Sequence, residues 1–472
     1  MLSVKDEILI KSQFIQMVRD KDKAIIWHSL FGNPKIVSKE TLAFLEIFSH
    51  PRQLSSVLEE YSYDKNSKKA LQDLIENYYF VPKNFDEREF LAKHMKERKK
   101  SITDGSLINY LELIMSEVCN FRCSYCVHFN NLEMSNRIKN STRFMNFKVA
   151  KQTIDGYLKI LRKHKKNIAE INFGGGEPLL AWKVIERVLE YCQSNYSKKF
   201  DFHFSINTNA SLITPKIAEK LKEYRVEIAS SLDGLREGNN MVRFTKSGGG
   251  TFEAVTQGFD NLAKQGYPIE GIAVTVNDQN FPFIDEKIID WANERGMKEV
   301  RIDIDIIGMI QTSVENIIAK LMRLRQYAKD FNIEIAGFWS RPAENLNDST
   351  LDSHVAFCGM VRGNSICVNP SGKIYGCGYS ATQLGSLHQI DSFYTADSQY
   401  AHLVSDHLTG SMEMCKGCII EGQCGGGCEI THEFSRANNK EKIERMCDFY
   451  RQMTCELLTE QLQELDTETA LE

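Results

Sequence analysis

Residues 118–127 read VCNFRCSYCV. Three cysteines, Cys119, Cys123 and Cys126, are spaced C-x3-C-x2-C, with no fourth close behind. Structural zinc takes four ligands, commonly as paired cysteines, and a disulfide framework wants an even number. Three thiolates suit a [4Fe–4S] cube, holding three irons and leaving the fourth open to a small molecule. The plainer alternative is a zinc knuckle or three buried cysteines, and His128 is the one nearby candidate to complete a zinc site.

The triad follows directly on INYLELIM, the first of six apolar, strand-like runs. The others are AEINFGG, FHFSINT, VEIASSLDG, IEGIAVTVN and EVRIDIDI. Helical stretches such as FKVAKQTIDGYLKILRK, AWKVIERVLEYCQ and FEAVTQGFDNLAKQ separate them. This alternation predicts an α/β fold over residues 105–340, a partial (β/α)6 barrel of the TIM type. Active sites of such barrels lie at the C-terminal strand ends, where the triad falls. Ahead of it, residues 1–95 read as one unit. AIIWHSLFGNPKIVSK suggests a hairpin turned at GNP, and three amphipathic helices follow in SKETLAFLEIFSH (Ser38 as N-cap), QLSSVLEEYS and SKKALQDLIENYYFV. That order predicts a winged-helix-like domain, with the polar KHMKERKKSITDG as a linker. Over residues 345–460 the rhythm stops, and a cysteine-rich tail of short strands and turns is expected.

The formal net charge of −5 argues against bulk binding to nucleic acid or anionic membranes. MLSVKDEIL is charged from the start, unlike a signal peptide, and no apolar run approaches the ~20 residues of a membrane span. The expected location is cytoplasmic, where thiols stay reduced. Thirteen cysteines there imply metal or redox chemistry rather than disulfides.

The triad, with Tyr125 before its last cysteine, resembles the radical S-adenosylmethionine (SAM) enzymes. The resemblance implies that the open iron binds the amino and carboxylate groups of SAM, whose cleavage yields a 5′-deoxyadenosyl radical. Three further motifs extend it. GGEP at Gly175, Gly176, Glu177 and Pro178 ends the second strand, where the family binds the SAM amino group; Glu177 offers an acceptor to an ammonium. INTNA places Asn209 at the ribose-side position, with Ala210 where the family usually has glycine. SSLDG supplies Ser231 and Asp233 to the SAM pocket. Arg243 stands where relatives use an arginine on the SAM carboxylate, or is a surface residue.

The tail carries Cys358-x13-Gly372-x4-Cys377, then Cys415-x2-Cys418-x5-Cys424-x3-Cys428, then Cys447. A zinc ribbon is the plain alternative, although seven cysteines do not divide into four-ligand sites. The pattern is similar to the SPASM domain of radical SAM enzymes acting on peptides and proteins. That implies two auxiliary [4Fe–4S] clusters, three with the SAM cluster. One takes Cys415, Cys418, Cys424 and Cys447; the other takes Cys358, Cys377 and Cys428 and is one ligand short. Cys367 is the candidate to fill it, on a hairpin turned at Pro370–Gly372. Cys192 and Cys455 read as structural.

The N-terminal order resembles the peptide-recognition domain of ribosomal-peptide maturases, similar to the small chaperone of pyrroloquinoline-quinone biosynthesis. There a leader peptide adds a strand to the domain's edge. A DNA-binding winged helix and a structural cap are the alternatives, the first without a concentrated basic face. The resemblances imply a maturase that installs a thioether or other crosslink in a precursor peptide. They imply a reductant such as flavodoxin or ferredoxin, and an N-terminal unit that captures the leader and leaves the chemistry to the barrel. The alternative is an anaerobic sulfatase-maturating enzyme, which forms formylglycine. Those enzymes generally begin near the triad, and many carry an aspartate base where this chain has Gly378. No residue of the sequence declares itself as the general base.

Overall fold

The structure is a computed structural model describing residues 7–60, 65–305, 310–353, 355–435 and 440–469. The end of the second predicted helix (Tyr61, Ser62) and the last residue of the sixth predicted strand (Ile306) lie outside these. The N-terminal region holds β1 (Ile8–Lys11), β2 (Ile15–Asp20), β3 (Lys23–His28), β4 (Gly32–Ser38), β5 (Arg52–Gln53) and β6 (Phe80–Pro82). They form two antiparallel sheets, β5-β1-β6 and β2-β3-β4. Three helices follow as the apolar spacing predicts: α1 (Lys39–Ile47), α2 (Leu54–Glu60) and α3 (Lys65–Glu76). Ser38 caps α1, accepting from Thr41 N at 3.4 Å. Leu9, Ile26, Phe44, Phe48, Leu71 and Phe80 make the shared core.

The hairpin turns at Ser29–Phe31, one step before GNP, whose glycine opens β4. The segment expected as a linker is instead the second half of α4 (Glu87–Asp104), capped by Asp86. Only Leu91, Met95 and Ile102 form its apolar seam, narrow enough to read as solvated, yet all three are buried in the main core. Phe14, Leu30 and Phe31 join them there. The N-terminal unit is therefore packed into the rest of the chain and is not a detachable module.

Seven parallel strands follow in chain order: β7 (Tyr110–Ser116), β8 (Ile168–Gly175), β9 (Asp201–Thr208), β10 (Glu227–Ser230), β11 (Gly271–Val276), β12 (Glu299–Ile304) and the unanticipated β13 (Glu334–Ala336). β7 to β10 lie side by side, as do β11 to β13. A bridge between Ser231 and Ala273 joins the two sets. The helices between them bury one face each, as in Phe147–Lys163, where Ile154, Tyr157, Leu158 and Leu161 point inward.

The tail continues the same sheet. β14 (Ser365–Val368) pairs in parallel with β7, β15 (Lys373–Tyr375) folds back on β14, and β16 (Gly385–Ser386) edges it. The turn falls at Pro370–Gly372, as the sequence suggests. The expectation of only short strands and turns does not hold: a 30-residue helix, Lys440–Thr469, closes the chain and carries Cys447 and Cys455.

Candidate active site

β7 ends at Ser116, and the loop carrying Cys119, Cys123 and Cys126 lies against the end of β8. Glycine allows this. Gly175 has φ +117, and a Cβ there would meet Ser116 O at 2.3 Å; one on Gly176 would meet Val118 O at 2.5 Å. Gly176 N donates to Ser116 O (2.7 Å) and Glu177 N to Val118 O (3.0 Å). On the other side, Arg122 N donates to Phe244 O (2.7 Å) and Ser124 N to Val242 O (2.8 Å). Burial, with neighbouring thiolates adding to it, pushes the Cys119 thiol up to about 11 and the Cys126 thiol up to about 12. Such a group is held as thiolates by bound cationic metal.

Among the described residues no three His, Cys, Asp or Glu side chains converge closely enough to hold one ion. A cubane spaces its thiolates more widely than a single zinc does, so three neighbouring thiols at a strand end fit the cluster. His128 does not complete a zinc site. Its imidazole is buried with both nitrogens unpartnered, edge-on to Tyr379 at 5.8 Å.

The predicted SAM-pocket residues gather around this loop. Asn209 Nδ2 reaches Cys119 Sγ at 3.8 Å and Asn120 Oδ1 at 2.9 Å. Ala210 takes up the left-handed conformation (φ +60) that suits the family's usual glycine. Tyr125 Oη donates to Asp233 Oδ2 (2.5 Å), and Arg243 Nη1 lies 2.7 Å from Tyr125 Oη and 3.4 Å from Asp233 Oδ2. Thr275 N donates to Asp233 Oδ1 at 2.8 Å. Ser231 sits half-buried on the bridge to Ala273.

Two expectations change. Arg243 is no surface residue; it is buried and ion-paired with Asp233 through Nη1, and its buried Nε has no partner. Glu177 is 0% exposed, and this chain uses both its oxygens. Oε1 accepts from Thr208 Oγ1 (2.7 Å) and Leu179 N (3.0 Å), and Oε2 from Asn209 N (2.8 Å). In this geometry it stitches β8 to the Asn209 turn and does not face a ligand ammonium.

Two sets of tail thiols lie within electrostatic reach of one another. Cys415, Cys418, Cys424 and Cys447 form one, and Cys358, Cys377 and Cys428 the other. Burial pushes Cys415 and Cys428 up to about 12, with neighbouring thiols adding to it. These are the sets of four and three that the resemblance assigned to two auxiliary clusters. Cys367, the candidate fourth ligand, packs between Ile114 and Tyr375 and bonds to Glu112. It lies within electrostatic reach of Cys377.

Sequence reading missed the residues that join rim to tail. Glu117 and Arg137 form a buried pair at 3.2 Å, and Arg137 Nη1 also donates to Gly378 O (2.8 Å) and Ser380 O (2.6 Å). Glu112 accepts from Gly378 N at 3.0 Å, and a Cβ on Gly378 would come within 2.7 Å of its carboxylate. Burial raises the Glu112 carboxyl above the usual range. Tyr379 is 48% exposed, and Glu112, Cys126, Cys377 and Arg243 all lie within electrostatic reach of its hydroxyl, so it stands between two cysteine groups. The available signal was Glu112 itself, an acid inside the apolar run YLELIM.

The model of the Radical SAM superfamily matches residues 113–292. The radical SAM cyclopropyl synthase TigE of Paramaledivibacter caminithermalis is 26% identical, and the match covers 94% of each chain. An uncharacterised protein of Methanocaldococcus jannaschii is 31% identical over 58% of this chain and 86% of its own. Among solved structures, anSMEcpe with bound AdoMet and Cp18Cys peptide superposes with a TM-score of 0.60 at 20% identity, covering 76% of this chain and 99% of that one. With the thiol triad at the end of β7 and its neighbours on β8 to β10, these matches place the chain in the radical SAM superfamily of enzymes.

Proposed function

We propose that this chain is a peptide maturase, which forms a thioether or another crosslink within a ribosomally made precursor peptide. The observation that carries this reading is the end-to-end match to a cyclopropyl synthase, too long to omit residues 1–95. The sulfatase-maturating alternative leaves that unit without a leader peptide to capture. Bound at Cys119, Cys123 and Cys126, a [4Fe–4S] cluster supplies the electron that converts SAM to the 5′-deoxyadenosyl radical. Cys415, Cys418, Cys424 and Cys447 are the donors for one auxiliary cluster, and Cys358, Cys377 and Cys428 for the other. Flavodoxin or ferredoxin is the reductant, and a leader strand pairs with a sheet edge of the N-terminal unit.

Tyr379 and Glu112 stand between the SAM rim and the three-cysteine group. The Glu112 carboxylate accepts an N–H or O–H of the core peptide and holds the reacting residue there. The test is mass spectrometry of a leader-bearing peptide after anaerobic incubation with SAM and reductant. Each crosslink removes two hydrogens, and a thioether additionally consumes a free thiol. Glu112→Gln should still cleave SAM but form product about ten- to a hundredfold more slowly, the worth of one hydrogen bond to a charged group. Conversion of a leaderless sulfatase motif as efficiently as any leader-bearing peptide would overturn the reading.

A further inference from the structure

The segment between Cys418 and Cys424 is walled by the N-terminal unit. Trp27 Nε1 donates to Ile419 O at 2.7 Å, and Gly422 N donates to Ser29 O at 2.8 Å. A Cβ on Gly422 would lie 2.2 Å from Leu30 O, so glycine alone permits this approach. Arg88, on α4, makes a two-pronged ion pair with Glu421, Nη1 to Oε1 at 2.9 Å and Nη2 to Oε2 at 3.0 Å. Glu421 Oε2 also accepts from Gly417 N at 2.9 Å, inside the Cys415-x2-Cys418 turn. Glu421 is 2% exposed and acts electrostatically on Cys415. The Arg88 guanidinium is held over the Phe14 ring at 5.0 Å.

We infer that the N-terminal unit builds one wall of the four-cysteine centre, with Arg88 as the positioning residue for its Cys415–Cys418 turn. The line of force runs from Phe14 through Arg88 and Glu421 to Gly417 N, and Trp27 and Ser29 fix the rest of the segment. Arg88 has a second effect. It cancels a buried carboxylate beside thiolates that already repel one another. Without it, Glu421 is either an unpaired buried anion, which is costly, or it swings out and releases the turn. Arginine suits the task because its planar fork meets both carboxylate oxygens at once, which lysine cannot do. The unit assigned to peptide capture is thus also part of the redox apparatus. This inference rests on the cluster assignment of Cys415, Cys418, Cys424 and Cys447, and not on the identity of the peptide.

The test uses the full chain, reconstituted anaerobically, with iron, sulfide, EPR spectra and midpoint potentials as readouts. Wild type should hold about twelve irons in three cubanes. Arg88→Met should lose about four of them, with the four-cysteine signal gone and the SAM-perturbed signal kept. Arg88→Lys should retain the iron but shift that centre's potential, because charge is restored without the fork. Trp27→Phe keeps an aromatic side chain but removes the hydrogen bond to Ile419 O and some packing beside it, and should shift the same potential alone. If Arg88→Met loses all three centres together, Trp27→Phe decides: a shift confined to this centre supports the inference, and unchanged potentials overturn it. Full iron and unchanged potentials in both Arg88→Met and Trp27→Phe would also overturn it. A wild-type protein holding zinc and no sulfide would instead refute the cluster assignment, whatever Arg88 does.

Discussion

Glu177→Gln separates two roles for the acid of the GGEP motif. If the carboxylate serves a ligand, the apo protein should not notice its replacement by an isosteric amide. The hydrogen bonds say otherwise, because Thr208 Oγ1, Leu179 N and Asn209 N all donate to it in a fully buried position. An amide has one oxygen. Its best orientation keeps Thr208 and Leu179 on that oxygen and turns Nε2 toward Asn209 N, donor against donor. The loss is one bond to a charged acceptor, about 1.5–3 kcal/mol, plus about 1–3 kcal/mol for N–H groups left without partners. Burial holds the Glu177 carboxyl above its usual range, so removing a buried anion returns part of this. A net loss of about 2–4 kcal/mol remains, enough for a clear fall in Tm at about 2–4 °C per kcal/mol. The assay is denaturant and thermal unfolding of the apo protein, followed by SAM binding after reconstitution. Because Asn209 also touches Cys119, SAM affinity should fall only together with stability. A variant as stable as wild type that binds SAM tenfold more weakly would refute the reasoning and return Glu177 to the ligand.

Gly176→Ala should displace the cysteine loop, because its Cβ would sit 2.5 Å from Val118 O, a backbone atom with nowhere to go. Metal analysis should show about four irons lost from the rim centre with secondary structure intact. His28 is buried beside Ser12 and Glu87, and burial lowers its pKa despite the pull of Glu87. The folded protein keeps it neutral while the unfolded chain protonates it near 6.5. Stability is therefore undiminished above that pH and declines as pH falls below it, toward the lowered folded value. Denaturant midpoints at pH 7.5, 6.5 and 5.5 check the sign, and a flatter profile in His28→Gln assigns it.

What was legible in the sequence is what depends on neighbours close along the chain. The helix Phe147–Lys163 buries its apolar stripe because that stripe recurs every three or four residues. The three cysteines share a site because a single loop of eight residues, 119–126, carries them. Contacts between distant segments leave no such trace. β14 lies beside β7 although about 250 residues separate them, and nothing in SICV says which strand it will join. Arg88 and Glu421 are 333 positions apart. The half of α4 that reads as a solvated linker is buried at Met95 and Ile102, because a surface that only the tertiary fold supplies covers it.

Gly378 shows how a position can mislead where a site does not. Read alone, a glycine following Cys377 removes an acid that sulfatase-maturating relatives supply at that point, and so counts against their chemistry. In the folded chain the Gly378 N–H donates to the Glu112 carboxylate, which lies where a side chain on residue 378 would begin. The glycine is what admits a carboxylate arriving from β7, so the acid is present beside Cys377 and merely comes from another strand. Gly378 therefore does not discriminate between a maturase of peptides and a maturase of sulfatases. That distinction passes to whether the N-terminal unit, whose Trp27, Ser29, Leu30 and Arg88 contact the segment between Cys418 and Cys424, also captures a leader peptide.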